Sequence, residues 1–134
     1  VDPSLGVMIA VHVGLCSMTI AMSGNEEQKE KYLPKLDSGE FLGAYSLSEA
    51  GSGTDAAAMV ARATDDGEHY TLNGEKMWVT NGTTADIFVL FAKVTNHPDY
   101  GKKSHGGVTC FIIEKGFEGF EIGKKRRQTR NPFK

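Results

Sequence analysis

Residues 4 to about 22 carry apolar side chains on nearly every face of a helical repeat, from Leu5 through Met22. That pattern predicts a helix inside a bundle, not one lying on a surface. Gly24 breaks it. Asn25 then offers an N-cap, Glu26 and Glu27 follow in the turn where the helix dipole favours acids, and Gln28 sits at the capping-box position. This predicts a short amphipathic helix to about Leu33, stopping near Pro34, with a turn at Asp37-Ser38-Gly39.

After Gly39 the period changes from helical to alternating. Phe41–Leu47 reads as a strand, and Val60–Thr64 and His69–Leu72 flank the turn Asp65-Asp66-Gly67. Asn73-Gly74 is a hairpin signal leading into an expected strand at Lys76–Thr80. Ile87–Val94 and Val108–Glu114 are apolar runs separated by the polar loop Thr95–Gly107, and Phe117–Ile122 is one more strand candidate. The expected class is an α+β fragment: two helices from an α-helical domain (1–39), then an antiparallel β-barrel or sandwich (40–134) that is incomplete at its C-terminus.

Composition narrows the class. The 134 residues are 40% apolar and 24% charged, enough for a soluble core. A net charge of −2 gives no general case for nucleic acid or an anionic membrane. Cys16 and Cys110 lack any metal-ligand spacing and read as buried free thiols, and no metal site is visible. His12 and several hydroxyls interrupt the Leu5–Met22 stretch, so a buried helix is expected there and no integral membrane segment. The chain begins at Val1 inside a helical pattern and says nothing of targeting; the compartment stays open between bacterial cytoplasm and mitochondrial matrix.

Two segments could carry chemistry. Tyr45-Ser46-Leu47-Ser48-Glu49-Ala50-Gly51-Ser52-Gly53-Thr54-Asp55 is a Gly/Ser/Thr loop whose N–H groups and hydroxyls suit an anion such as a pyrophosphate. On its own it reads equally as a connection in which Gly51 and Gly53 satisfy turn geometry. It has neither the Rossmann glycine spacing nor the Lys-Ser/Thr of a Walker loop. The second segment is Trp78-Val79-Thr80-Asn81-Gly82. In a strand, Trp78 and Thr80 project from one face, where a ring could stack on a heterocycle and a hydroxyl could reach its edge. The plainer reading of Trp78 is core packing.

Glu26-Glu27-Gln28-Lys29-Glu30-Lys31-Tyr32-Leu33-Pro34-Lys35-Leu36, then Ser38-Gly39-Glu40, then the loop and Trp78–Gly82, resemble the acyl-CoA dehydrogenase family in order and spacing from about Gly24 to Gly123. Ala85–Lys93 leans towards its long-chain or very-long-chain branch. The resemblance implies an N-terminal helical domain, a middle β-domain and a C-terminal helical domain, with FAD held between the last two and partly across a subunit interface. It implies α,β-dehydrogenation of a fatty acyl-CoA: a carboxylate takes the α-proton and flavin N5 receives the β-hydride. Electrons then pass to an electron-transfer flavoprotein, and the parent is a homo-oligomer.

Carried over by position, the resemblance places Tyr45, Leu47 and Ser48 along the flavin, with Ser48 standing where the family usually has Thr. It brings Gly53 and Thr54 to the pyrophosphate and the bound acyl-CoA; Thr54 stands for the usual Ser. Trp78 and Val79 belong to the flavin-contacting segment, with Thr80 reaching N5, and Ser104 is a candidate for the CoA portion. Ala50 replaces the family's usual Pro, which loosens the unbound loop. Glu49 matches a structural Glu of the family, and no catalytic residue falls in this chain, because the general base belongs to the C-terminal domain. His12, His69, His97 and His105 read as isolated core or surface histidines.

The basic tail Lys124–Lys134 has no family counterpart. One codon choice for Arg126 onward, shifted by a base, reads Glu-Asp-Lys-Leu-Gly-Ile-Arg-Ser, close to the family's usual continuation, so a frameshifted tail at 126–134 is expected. Without a C-terminal domain the isolated chain is expected to be poorly soluble and inactive. The rival functions are an acyl-CoA oxidase fragment and a non-catalytic flavin-binding or assembly module.

Overall fold

The computed structural model describes residues 2–123. The tail and its expected frameshift lie outside the described residues. Asp2 caps the first helix, accepting from Ser4 N at 2.9 Å, and Pro3 occupies its first turn, where no N–H partner is needed. Helix α1 runs Pro3–Ser23 and widens to π-winding over Ala10–Ser17. Ser17 Oγ donates to His12 O at 2.9 Å inside that wide turn. Helix α2, Glu26–Asp37, opens on the expected capping box: Gln28 N donates to Asn25 Oδ1 and Asn25 N to Gln28 Oε1.

Two helical expectations change. Helix α2 runs through Pro34 to Asp37, because burial of Tyr32 and Leu36 in the core holds the last turn despite the missing N–H. Helix α1 is not enclosed among the described residues. Cys16 and Ile20 are buried, whereas Leu5, Val7, Ile9, Val13, Leu15, Met18 and Met22 are exposed, since only one stripe packs on the strands and α2. By length and composition α1 could span a membrane, but its buried stripe belongs to the core shared with the sheet.

The strands are β1 (Gly43–Ser46), β2 (Arg62–Asp65), β3 (Tyr70–Asn73), β4 (Ile87–Val94) and β5 (Val108–Glu114). They form one sheet around β4. Along one edge of β4, β1 and then β2 pair in parallel, β3 adds antiparallel to β2, and β5 covers the other edge antiparallel. The sheet is therefore mixed, not the wholly antiparallel one expected. Strand β4 reads as a continuous apolar run because both of its faces are covered. Ile87 and Val89 meet Cys16, Ile20, Tyr32 and Leu36 of the helices; Phe88, Ala92 and Val94 face the opposite clusters.

Neither Lys76–Thr80 nor Phe117–Ile122 forms a strand. Gly74 has φ +151°, and a Cβ there would stand 2.7 Å from Ala61 Cβ, so the chain passes too close to β2 for any side chain. Beyond it, Met77 N donates to Ser48 O at 2.8 Å, which seats the segment on the loop after β1. Trp78 and Asn81 then take left-handed backbone, φ 57° and 67°, which no strand accommodates.

Candidate ring and anion site

Tyr45, Leu47, Ser48, Met77, Trp78 and Thr80 line a cavity of about 170 Å3, closed on its third side by Val11 and Leu15 of α1. Trp78 and Thr80 thus meet at one cavity, as the sequence suggests, but through a turn and not through a shared strand face. The left-handed conformation of Trp78 costs about 1–2 kcal/mol for a residue with a Cβ. Trp78 is 79% exposed and stands outside the core clusters of the described residues. Val79 does the opposite: it packs against the cluster of Ala44, Ala85 and Phe88 and does not line the cavity.

Tyr45 is positioned by β1 and packs against Phe91 with ring centroids 5.2 Å apart and the planes tilted by 55°. Burial, with a smaller contribution from Cys110, pushes its phenol above the ordinary value, so it stays protonated and able to donate. Burial likewise lifts the free thiols of Cys16 and Cys110 to about 11, which makes them inert neighbours.

The loop is built around Glu49. Its N–H and C=O pair with Ser52 in a tight turn. Its carboxylate accepts from Val60 N at 2.6 Å, Ala61 N at 3.1 Å and Lys76 Nζ at 2.7 Å. Burial alone would raise this carboxyl, but the Lys76 hydrogen bond and the two backbone donors outweigh it and hold Glu49 below the ordinary range. A carboxylate so engaged is no base, in keeping with a structural Glu. With Glu49 holding both ends, Gly51, Gly53 and Thr54 form an exposed turn. Their N–H groups are not taken up by any other described residue. That is the chemistry of an anion-binding turn.

Ser104 lies elsewhere, in a second cleft of about 440 Å3 shared with Asp55, Met59, Tyr100 and three cations, Arg62, Lys93 and Lys103. Asp55 directly follows Thr54, so the exposed turn runs on into the lining of this cleft. Sequence reasoning missed these cations because β2, β4 and the Thr95–Gly107 loop supply one each; it also missed Val11 and Leu15, which carried only a helical-core signal. Among the described residues no cluster of His, Cys, Asp and Glu could hold a metal.

A family model described as "Acyl-CoA dehydrogenase, middle domain" matches residues 44–131, and one described as "Acyl-CoA dehydrogenase, N-terminal domain" matches 1–40. The chain belongs to the acyl-CoA dehydrogenase family. It is 47% identical over 119 residues to a short-chain-specific acyl-CoA dehydrogenase of Clostridium acetobutylicum, covering 89% of this chain and 30% of that protein. The butyryl-CoA dehydrogenase of Megasphaera elsdenii superposes with a TM-score of 0.85 at 40% identity, over 93% of this chain and 32% of that one. An acyl-CoA dehydrogenase of Bacillus anthracis, solved with FAD, gives 0.81 at 40% identity, over 92% and 20%. This acyl-CoA dehydrogenase chain therefore spans about a third or less of the relatives it matches.

Proposed function

We propose that residues 1–39 and 40–134 are the end of a helical domain and most of a β-domain that forms one wall of an FAD site in a fatty acyl-CoA dehydrogenase. The observation that carries this reading is Trp78, an exposed residue held in left-handed backbone that lines one cavity together with Ser48 and Thr80. An FAD-bound relative of the same fold supports it. FAD would supply the acceptor for a hydride leaving the substrate's β-carbon. Trp78 would cover one ring face, while Ser48 and Thr80 would offer hydrogen bonds to the ring edge beside Tyr45 and Leu47. Gly53 and Thr54 would give free N–H groups and a hydroxyl to the pyrophosphate.

The cationic cleft at Ser104 suits the phosphate-bearing end of an acyl-CoA, with Thr54 standing between the two ligands. The ring cavity, about 170 Å3, is smaller than the roughly 300–1,000 Å3 of a complete cofactor pocket, so the opposite wall comes from chain beyond these residues. The general base is placed there as well, together with the contacts that make the parent a homo-oligomer. The short chain is inactive alone.

The test uses the full-length protein containing this segment. It should purify with a flavin absorbance spectrum and dehydrogenate fatty acyl-CoA thioesters with an electron-transfer flavoprotein as acceptor. A chain-length series tests the long-chain lean of Ala85–Lys93. Oxygen as the faster acceptor would make the enzyme an oxidase, and a protein without flavin would overturn the reading.

A further inference from the structure

Among the described residues strand β1 is an edge strand beside the ring cavity, and its Gly43 has an unusual pair of partners. Because β1 pairs with β4 on one side only, the N–H and C=O of Gly43 point off the free edge. Side chains take both. Gly43 N donates to His12 Nδ1 at 3.0 Å, and Gly43 O accepts from Asn81 Nδ2 at 3.0 Å. The same Asn81 amide donates to Met8 O of α1 at 3.1 Å, and the second His12 nitrogen lies 3.0 Å from Leu36 O of α2.

Both partners of Asn81 Nδ2 are carbonyl oxygens, so only the amide nitrogen fits between them. Gly43 N–H can only donate and Leu36 O can only accept, which fixes His12 as the neutral Nε2–H tautomer. A Cβ on residue 43 would lie 2.5 Å from Cys16 Sγ and 3.3 Å from His12 Nδ1, so the clamp closes only on glycine.

Asn81 begins where the ring segment ends. Its backbone follows Thr80 directly, is left-handed, and accepts Thr84 N and Ala85 N at 2.9 and 2.8 Å. One residue therefore sets the direction of the chain leaving Trp78–Thr80 and bolts it to α1 and β1, which supply Val11, Leu15 and Tyr45 to the cavity wall. We propose that Asn81 is a positioning residue: through its clamp on Gly43 O and Met8 O it sets the distance of Trp78 and Thr80 from Tyr45, Leu47 and Ser48, and hence the environment of a bound flavin ring. This rests on the FAD reading above.

Two substitutions in the full-length holoprotein separate the amide from the backbone. N81G keeps the left-handed turn and removes the amide; N81D keeps size and turn tolerance but turns a carboxylate oxygen on two carbonyls. The expected result is folded protein in both cases, with FAD dissociating about tenfold more readily in N81G and further still in N81D. The visible flavin bands and the reduction potential should move in the same order. A structural role alone would lower the melting temperature of the FAD-free protein and leave the spectrum and potential of the bound flavin unchanged. Wild-type spectrum, potential and FAD affinity in both variants would overturn the positioning role by itself. Absence of flavin from the wild type would overturn the reading of the site, and this one with it. A variant that does not fold is replaced by N81S, read by the same spectrum and potential.

Discussion

Lys76 Nζ stands 2.7 Å from Glu49 Oε1, and the two side chains are only 7% and 4% exposed. Lys76 also donates to Leu47 O at 3.1 Å, so one ammonium joins the Gly74–Thr80 segment to Leu47 and Glu49, where the chain enters the turn after β1. In this chain a buried ion pair takes the place of the hairpin expected from Asn73-Gly74. Removing one partner strands the other charge in the interior, which costs about 3–5 kcal/mol. E49A and K76A in the full-length protein should each lose stability of that order in urea unfolding. The double variant should lose clearly less than the sum, and additive losses would refute coupling between the two.

The same pair sets an acid limit. Glu49, and Glu114 through Lys31 and Tyr32, have folded-state carboxyls held below the ordinary value of 4.5. A depressed folded pKa gives stability that is complete above the unfolded value and lost as pH falls through 4.5 towards the lowered one. Glu114 contributes less, because its side chain is 33% exposed and screened. The urea midpoint should drop between about pH 5 and about pH 3 in the wild type, and the drop should be smaller in E49Q. Equal slopes would remove Glu49 from the acid response.

Trp78 should trade stability for binding. In W78G the left-handed backbone is free of its Cβ cost, so the flavin-free protein should melt no lower than wild type, and up to about 1 kcal/mol more stable. Its affinity for FAD should fall by at least tenfold, read by fluorescence as flavin is released. Flavin binding unaffected by W78G would place the ring site elsewhere.

Gly43 is constrained by a neighbour that can itself be trimmed. G43A drives a methyl into Cys16 and should cost about 1–3 kcal/mol. Adding C16A removes the obstructing sulfur and should restore part of that loss in thermal melts. No rescue would mean that the Cβ of residue 16, 2.7 Å from the new methyl, is the obstruction and not the sulfur.

The isolated chain, with seven large apolar side chains of α1 exposed from Leu5 to Met22, should self-associate. Size-exclusion chromatography with light scattering checks this. A dispersed monomer that unfolds reversibly would show that α1 needs no cover.

How much was legible depended on how local each cause was. Asn25 and Gln28 are three residues apart, and their capping box formed as read. Ile87–Val94 and Val108–Glu114 became strands with the expected ends, because long β-branched and aromatic runs between turns leave little alternative. Pro34 misled, since the burial of Leu36 that overrides it comes from α1 and β4. Lys76–Thr80 misled for the same kind of reason: Lys76 answers to Glu49, twenty-seven positions away.

The sequence by itself determined the family, the helices and the central strands, and it singled out the two segments proposed for the ring and the anion, because each of these is written in contiguous motifs or periodicity. Tertiary structure decided that β1 and β2 lie parallel to β4, that Trp78 reaches its cavity through a left-handed turn, and that Val79 turns inward. It also decided that Ser104 keeps company with Arg62, Lys93 and Lys103, and that His12 and Asn81 share one glycine. Those are matters of which distant groups finish each other's hydrogen bonds and fill each other's space, and such pairings exist only once the chain has closed on itself.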